Sequence, residues 1–229
     1  MTMDRKKQLI EFIDTRGDTY KKIALDIHEH PEVSNYEFYA CKRLSEQLSE
    51  EGFEVKTDVA GHRTGFSAVY QSGKPGPVLA FLAEYDALEG LGHGCGHNLF
   101  GSTSLLAAAA LKQVIQETGG EIRVYGTPGE EGGENGSAKG SFVREGFFQD
   151  VDAALCVHPG ADTHKLTGAS LGCAPVDIEF WGVCGSCFRC TGEGDKRTGR
   201  NHSGIQFNQC TETASNKGCT YPWYYHEWR

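Results

Sequence analysis

Residues 78–86 read VLAFLAEYD, a near-continuous apolar run, and the reading of the fold turns on it. A run of this length and composition suits a strand buried on both faces, as in a sheet with helices above and below. A glycine-rich loop follows, and then Ser102 to Thr118 reads as an alanine-rich helix. Downstream, EIRVYGT (121–127) reads as a strand, Ala138 to Phe148 as a short helix and DAALCVH (152–158) as another strand. Upstream, Asp4 to His30 carries Leu9, Ile10, Ile13, Ile23 and Ile27 at helical spacing, and Pro31 supplies the stop. Ser34 with Glu37 has the form of a capping box opening a second helix through Phe38, Leu44 and Leu48 to Glu51-Gly52. FEVKTDV (53–59) and Gly65 to Gln71 then read as strands before the turn residues SGKPGP (72–77). Strands alternating with helices imply an α/β domain with a largely parallel sheet, whose functional groups collect at the carboxyl ends of strands.

Three polar clusters sit at such ends. The first is AEYDALEGLGHGCGHN (83–98), in which Cys95 and His97 are one residue apart among Gly92, Gly94 and Gly96. In extended backbone, side chains two apart point the same way, so a thiolate and an imidazole can converge on one cation. A buried free thiol beside a loop histidine is the ordinary alternative, and His93 has no ligand case. The second cluster, GTPGEEGGENG (126–136), places Glu130 beside Glu131. Neighbours in extended backbone face opposite ways, so one carboxylate can hold a cation while the other reaches a water on it; an acidic surface loop is the alternative. The third is His158, after AALCV and before Pro159-Gly160. Cys95, His97, Glu131 and His158 together form a donor set suited to zinc or a similar transition metal, with Glu130 as candidate general base.

The formal charge of −9 argues against a nucleic-acid or anionic-membrane partner, which lysine and arginine would have to hold, and favours a small ligand. The N-terminus lacks the apolar run of a signal peptide, and LLAAAAL (105–111) is far short of a membrane span, so a cytoplasmic location is expected.

In order and spacing, FLAEYDALEGLGHGCGHNLFG, GTPGEEGGENGSAKG and ALCVHPG resemble the M20 family of metallopeptidases and amidohydrolases. They are most similar to its branch of p-aminobenzoyl-glutamate, N-acyl-amino-acid and dipeptide hydrolases. Glu89 stands where that branch usually has proline, and Gly129 where it usually has alanine. The resemblance implies the N-terminal part of a zinc-peptidase-like α/β catalytic domain over residues 1–174, with a largely parallel or mixed sheet flanked by helices. It also implies a site with two divalent ions, zinc or manganese, held by Cys95, His97, Glu131 and His158. Glu130 is then the base, and Asp86 orients a ligand from behind. The implied substrate is a small N-acyl amino acid or dipeptide whose amide bond is hydrolysed. PVDIEFWG (175–182) resembles the start of the family's smaller lid and dimerisation domain.

Beyond residue 182 the chain changes character. Residues 183–229 hold five of the nine cysteines and no leucine, and carry net +2 against −11 before them. VCGSCFRC (183–190) has the C-x2-C-x2-C spacing of a metal module, which Cys210 and Cys219 could complete. The genetic code favours a different reading. One base later, the codons permitted for TYPWYYHEWR allow RIHGIITNG, those for CTGEGDKRTG allow APEKGINALD, and those for CGSCFRC allow AAHASAA. These strings resemble lid segments of the family. The tail is therefore expected to be frame-shifted from near Val183, the family's homodimer surface to be missing, and the truncated chain to be inactive.

Overall fold

The computed structural model describes residues 3–161 apart from Glu134. The stretch 175–182, the segment 183–229 and its cysteines lie outside the described residues. Nine elements follow in order: α1 (Met3–Glu29), α2 (Phe38–Glu50), β1 (Glu54–Val59), β2 (His62–Gln71), β3 (Val78–Ala83), α3 (His97–Thr118), β4 (Glu121–Gly126), α4 (Ala138–Arg144) and β5 (Ala153–Leu155). The strands form one sheet in the order β1-β2-β4-β3-β5. β3 runs parallel to both β4 and β5, whereas β2 pairs antiparallel with β1 and β4. The sheet is thus mixed, because β1 and β2 are joined by a tight turn at Ala60-Gly61 that reverses the chain without a crossover helix.

The main core lies between one face of the sheet and α1, α2 and α3. Ile23 and Ile27 of α1, Leu44 and Leu48 of α2 and Leu105, Ala108 and Ala109 of α3 pack on Phe66, Ala83, Ile122 and Val124. The periodicity of α1 is only half realised: Ile10 and Ile13 are 48% and 37% exposed. That half of the helix is tied instead by Arg5, whose guanidinium pairs with Glu117 at the end of α3. The opposite face carries a smaller cluster, with Phe142 of α4, Ala138, Tyr125 and Ala80 flanked by Phe147, Phe148 and Val151. This second layer is narrow, so only Ala80 and Ala83 of β3 are buried, its other four positions are half-buried, and it is less enclosed than its apolar sequence leads one to expect.

Four local features differ from the sequence reading. α3 starts five residues early, at His97, because Gly96 takes a left-handed φ of +78° and turns the glycine-rich loop directly into the helix. α4 stops at Arg144, where Gly146 (φ +81°) ends it, and Phe147 and Phe148 pack from the following turn. β5 spans three residues rather than seven, all exposed at the sheet edge. The capping box does not form. Glu32 reaches back to accept the Tyr39 and Ala40 N–H groups at the start of α2, which frees Ser34 and Glu37 for partners far along the chain.

Candidate metal centre

Three chain segments meet beyond the carboxyl ends of the parallel strands: residues 84–97 after β3, 127–137 after β4 and 156–161 after β5. His97 is at their centre. Its ring is fully buried, with Nδ1 2.9 Å from Asp86 Oδ1 and 3.1 Å from the Asp86 carbonyl oxygen. That contact fixes Nδ1 as the proton-bearing nitrogen and aims Nε2 into the site. Nε2 is 3.1 Å from Glu84 Oε2, 3.8 Å from Glu130 Oε2 and 3.9 Å from Glu131 Oε1. The His158 ring stands edge-on to His97, with centroids 5.3 Å apart, and to Phe100 at 5.8 Å. Pro159 packs on Gly96, where an added Cβ would come within 3.0 Å of the proline ring; this joins the exit of β5 to the start of α3.

Two donor groups close enough to hold an ion result: Glu84, His97 and His158, and His97, Glu130 and Glu131. They overlap, since each draws on His97 and its Nδ1 is already committed to Asp86. Of the four ligands expected from the sequence, His97, Glu131 and His158 fall in these groups, together with Glu84 and Glu130, which were not expected as ligands. Cys95 belongs to neither group; its thiol hydrogen-bonds to Glu131. The two glutamates do not face opposite ways. Gly129 (φ +73°) and Gly132 (φ +100°) bend the backbone into a turn, which brings both carboxylates toward His97. They differ in depth: the Glu131 side chain is 20% exposed and that of Glu130 40%.

Glu84 escaped the sequence reading. It is buried, its Oε1 is 2.5 Å from the Lys139 ammonium, and its Oε2 faces His97. The signal was present. Glu84 and Asp86 are two apart in extended chain, the same spacing that singled out Cys95 and His97.

The electrostatics are those of a cation site. Burial works to raise the Asp86 carboxyl, but hydrogen bonds from His97, the Glu131 N–H and Ser34 outweigh it and hold the group below the usual carboxylate range. Burial works against a charged His97, yet the hydrogen bond and charge of Asp86, with the charges of Glu84 and Glu131, raise it above its ordinary value. The Cys95 thiol is pushed up to about 11, first by its hydrogen bond to Glu131, then by burial and the neighbouring carboxylates. Three buried atoms, Glu84 Oε2, His97 Nε2 and Glu131 Oε1, have no hydrogen-bond partner. Orphaned polar atoms of this kind are costly unless something satisfies them, and divalent cations held in the two donor groups would do so.

A mixed α/β sheet with such a cluster at the carboxyl ends of its parallel strands has the arrangement of a candidate metal site. The chain matches Peptidase family M20/M25/M40 over residues 76–226, and it belongs to that family. It is 41% identical over 200 residues to a subunit of the p-aminobenzoyl-glutamate hydrolase of Escherichia coli, covering 77% of this chain and 40% of that protein. Hippurate hydrolase of Campylobacter jejuni is 31% identical over 157 residues, covering 62% of this chain and 39% of its own length. Among solved structures, a dinuclear metal binding peptidase of the M20 family from Bacillus subtilis superposes with a TM-score of 0.54 at 26% identity, over 62% of this chain and 42% of that one. The chain spans about 40% of the length of the curated relatives it matches. Among the described residues, no helix is long and apolar enough to cross a membrane.

Proposed function

We propose that residues 1–174 form the N-terminal part of a metal-dependent hydrolase that cleaves the amide bond of an N-acyl or aminobenzoyl amino acid or a dipeptide. The observation that carries this reading is the three unpartnered buried atoms, Glu84 Oε2, His97 Nε2 and Glu131 Oε1, spread over two donor groups that share His97. Cys95, His97, Glu131 and His158 would hold the ions, zinc or manganese, and Glu84 is added to that set as a donor facing the same nitrogen. When bound, the ions supply Lewis acidity, polarising the substrate carbonyl and acidifying a water.

The rest falls to the chain's own groups. Asp86 holds the His97 tautomer and, through the Glu131 N–H at 2.9 Å, the backbone of the ligand beside the base. Glu130, the more open of the two glutamates, can accept a proton from the attacking water and return it to the departing nitrogen. Cys95 would join the ligand set as its thiolate, a form that a bound cation would favour. The small-substrate reading is supported by relatives whose names state hydrolysis of p-aminobenzoyl-glutamate and hippurate. A cytoplasmic location remains part of the proposal.

Residues 175–182 are proposed as the opening of a lid domain, and 183–229 as a segment read out of frame. The family match runs on to residue 226, past the proposed break. Resequencing across the codons for Trp181 to Cys190 discriminates: an uninterrupted frame encoding the present tail, reproduced in the mass of the purified protein, overturns the frame-shift reading. The function is tested by incubating the purified chain with Mn2+ or Zn2+ and p-aminobenzoyl-glutamate, N-acetyl amino acids and dipeptides. Stoichiometric metal with little or no turnover is expected. Robust turnover abolished by Glu130→Ala would establish the hydrolase and refute the inactive fragment, whereas a chain that takes up no metal refutes the site.

A further inference from the structure

The loop that carries Glu130 and Glu131 is rich in glycine and is tied mostly from outside. Gly129, Gly132, Gly133 and Gly136 all have positive φ, as does Asn135, and glycine-rich backbone loses more freedom on ordering than any other. Two of its internal bonds are long, 3.3 Å from Gly132 N–H to the Gly129 carbonyl and 3.2 Å from Gly136 N–H to the Gly133 carbonyl, and one of 3.0 Å from the Ala138 N–H to the Pro128 carbonyl closes its base. Most of its order comes from outside.

It comes from Ser34 to Glu37. The Gly129 N–H donates to Glu37 Oε1 at 3.0 Å, and Asn35 Nδ2 donates to the Gly136 carbonyl at 3.1 Å, so one short segment grips both ends of the loop. Ser34 Oγ donates at 2.8 Å to Asp86 Oδ2, the same oxygen that accepts the Glu131 N–H. The grip is itself braced. Glu37 Oε1 also accepts the Asn35 N–H at 2.7 Å, Glu37 Oε2 accepts the Thr64 hydroxyl at 2.7 Å, and Asn35 Oδ1 lies 2.6 Å from His62 Nδ1. Glu37 is fully buried, and a buried carboxylate is costly unless well bonded. Helix capping does not account for it, since Glu32 already serves the first amides of α2.

We infer that the segment Ser34–Glu37 is a clamp that presets the double-glutamate loop for metal, with Glu37 and Asn35 as positioning residues acting through Gly129 and Gly136. This rests on the assignment of Glu131 as a ligand. Glu37 belongs to neither donor group; with Asn35 it fixes the backbone on which the ligand stands. Partners of this kind commonly contribute 10- to 100-fold in metal affinity.

The test is titration of the purified chain and its variants with Zn2+ by calorimetry, with Co2+ absorption as a report on ligand geometry and thermal unfolding as a control. Glu37→Ala is expected to weaken Zn2+ binding roughly 10- to 100-fold and to change the Co2+ spectrum. Glu37→Gln is expected to restore affinity to within about threefold, because one amide oxygen can still accept both N–H groups. Should Glu37→Ala unfold, Asn35→Gly decides: it tolerates the φ of +63° at that position, removes only the side chain, and is expected to give the same direction of change. Folded variants that bind Zn2+ as the unaltered chain does, while Glu131→Ala does not bind, overturn the clamp. If Glu131→Ala itself leaves binding intact, the ligand assignment fails and the clamp's purpose fails with it.

Discussion

The centre of the sheet and its β5 edge differ in almost every respect. At the centre, Phe66, Ile122 and Val124 are fully buried beneath three helices. At the edge, the three residues of β5 are exposed, Leu155 is 46% exposed and Val157, just beyond it, 72%. The site straddles this divide. His97, Asp86, Glu84 and Glu131 stand on the enclosed side, each held by neighbours from other segments, whereas His158 stands on the open side with Pro159 and Phe100 as its main supports. Half of the candidate site is therefore preorganised, and half is carried on a strand that is an edge among the described residues.

Substitutions on either side should show this asymmetry. The largest effect is expected for Phe66→Ala, which opens a cavity at the closed centre and should cost about 3–5 kcal/mol in denaturant unfolding. Next is His97→Ala, which should reduce Zn2+ affinity by more than about 100-fold, since both donor groups include it; His158→Ala should cost at least tenfold less in the same titration. Equal losses would show the two sides to be equally preset.

Gly129→Ala should follow. A Cβ there lies 2.5 Å from the Gly136 carbonyl oxygen on backbone at φ +73°, so a loss of about 1–2 kcal/mol in stability and weaker Zn2+ binding are expected. The resemblance alone treats that position as neutral.

A smaller effect concerns His62, which is buried between Asn35 and Ser141. Burial, then the charge of Arg144, lowers its pKa, so the folded state favours the neutral ring. Its contribution is present above the unfolded value of about 6.5 and is lost as pH falls through the lower folded value. The melting-temperature difference between the native chain and His62→Gln should therefore be largest near pH 7.5 and shrink toward pH 5. At the edge, Leu155→Ala should change stability by less than about 0.5 kcal/mol, because the side chain is already in solvent.

What the sequence made legible was local. The apolar run 78–86 declared β3, Ile23 and Ile27 declared the buried face of α1, and the glycine-flanked Cys95-x-His97 and Glu130-Glu131 declared the neighbourhood of the site. What it hid was long-range. Ser34 and Glu37 have the spacing of a cap, but their side chains go to Asp86 and Gly129, 52 and 92 residues away. Nothing within a helical window carries that information. β5 shows the same limit: AALCV has the composition of an interior strand, yet among the described residues it is short, exposed and paired only with β3.

That edge also has a meaning for how the chain behaves in company. Among the described residues β5 is hydrogen-bonded on one side only, to β3, and it ends in apolar side chains open to water. An unpaired strand margin of this composition is a template for another strand. Association of the chain, read by light scattering, should rise with its concentration before any loss of secondary structure is seen.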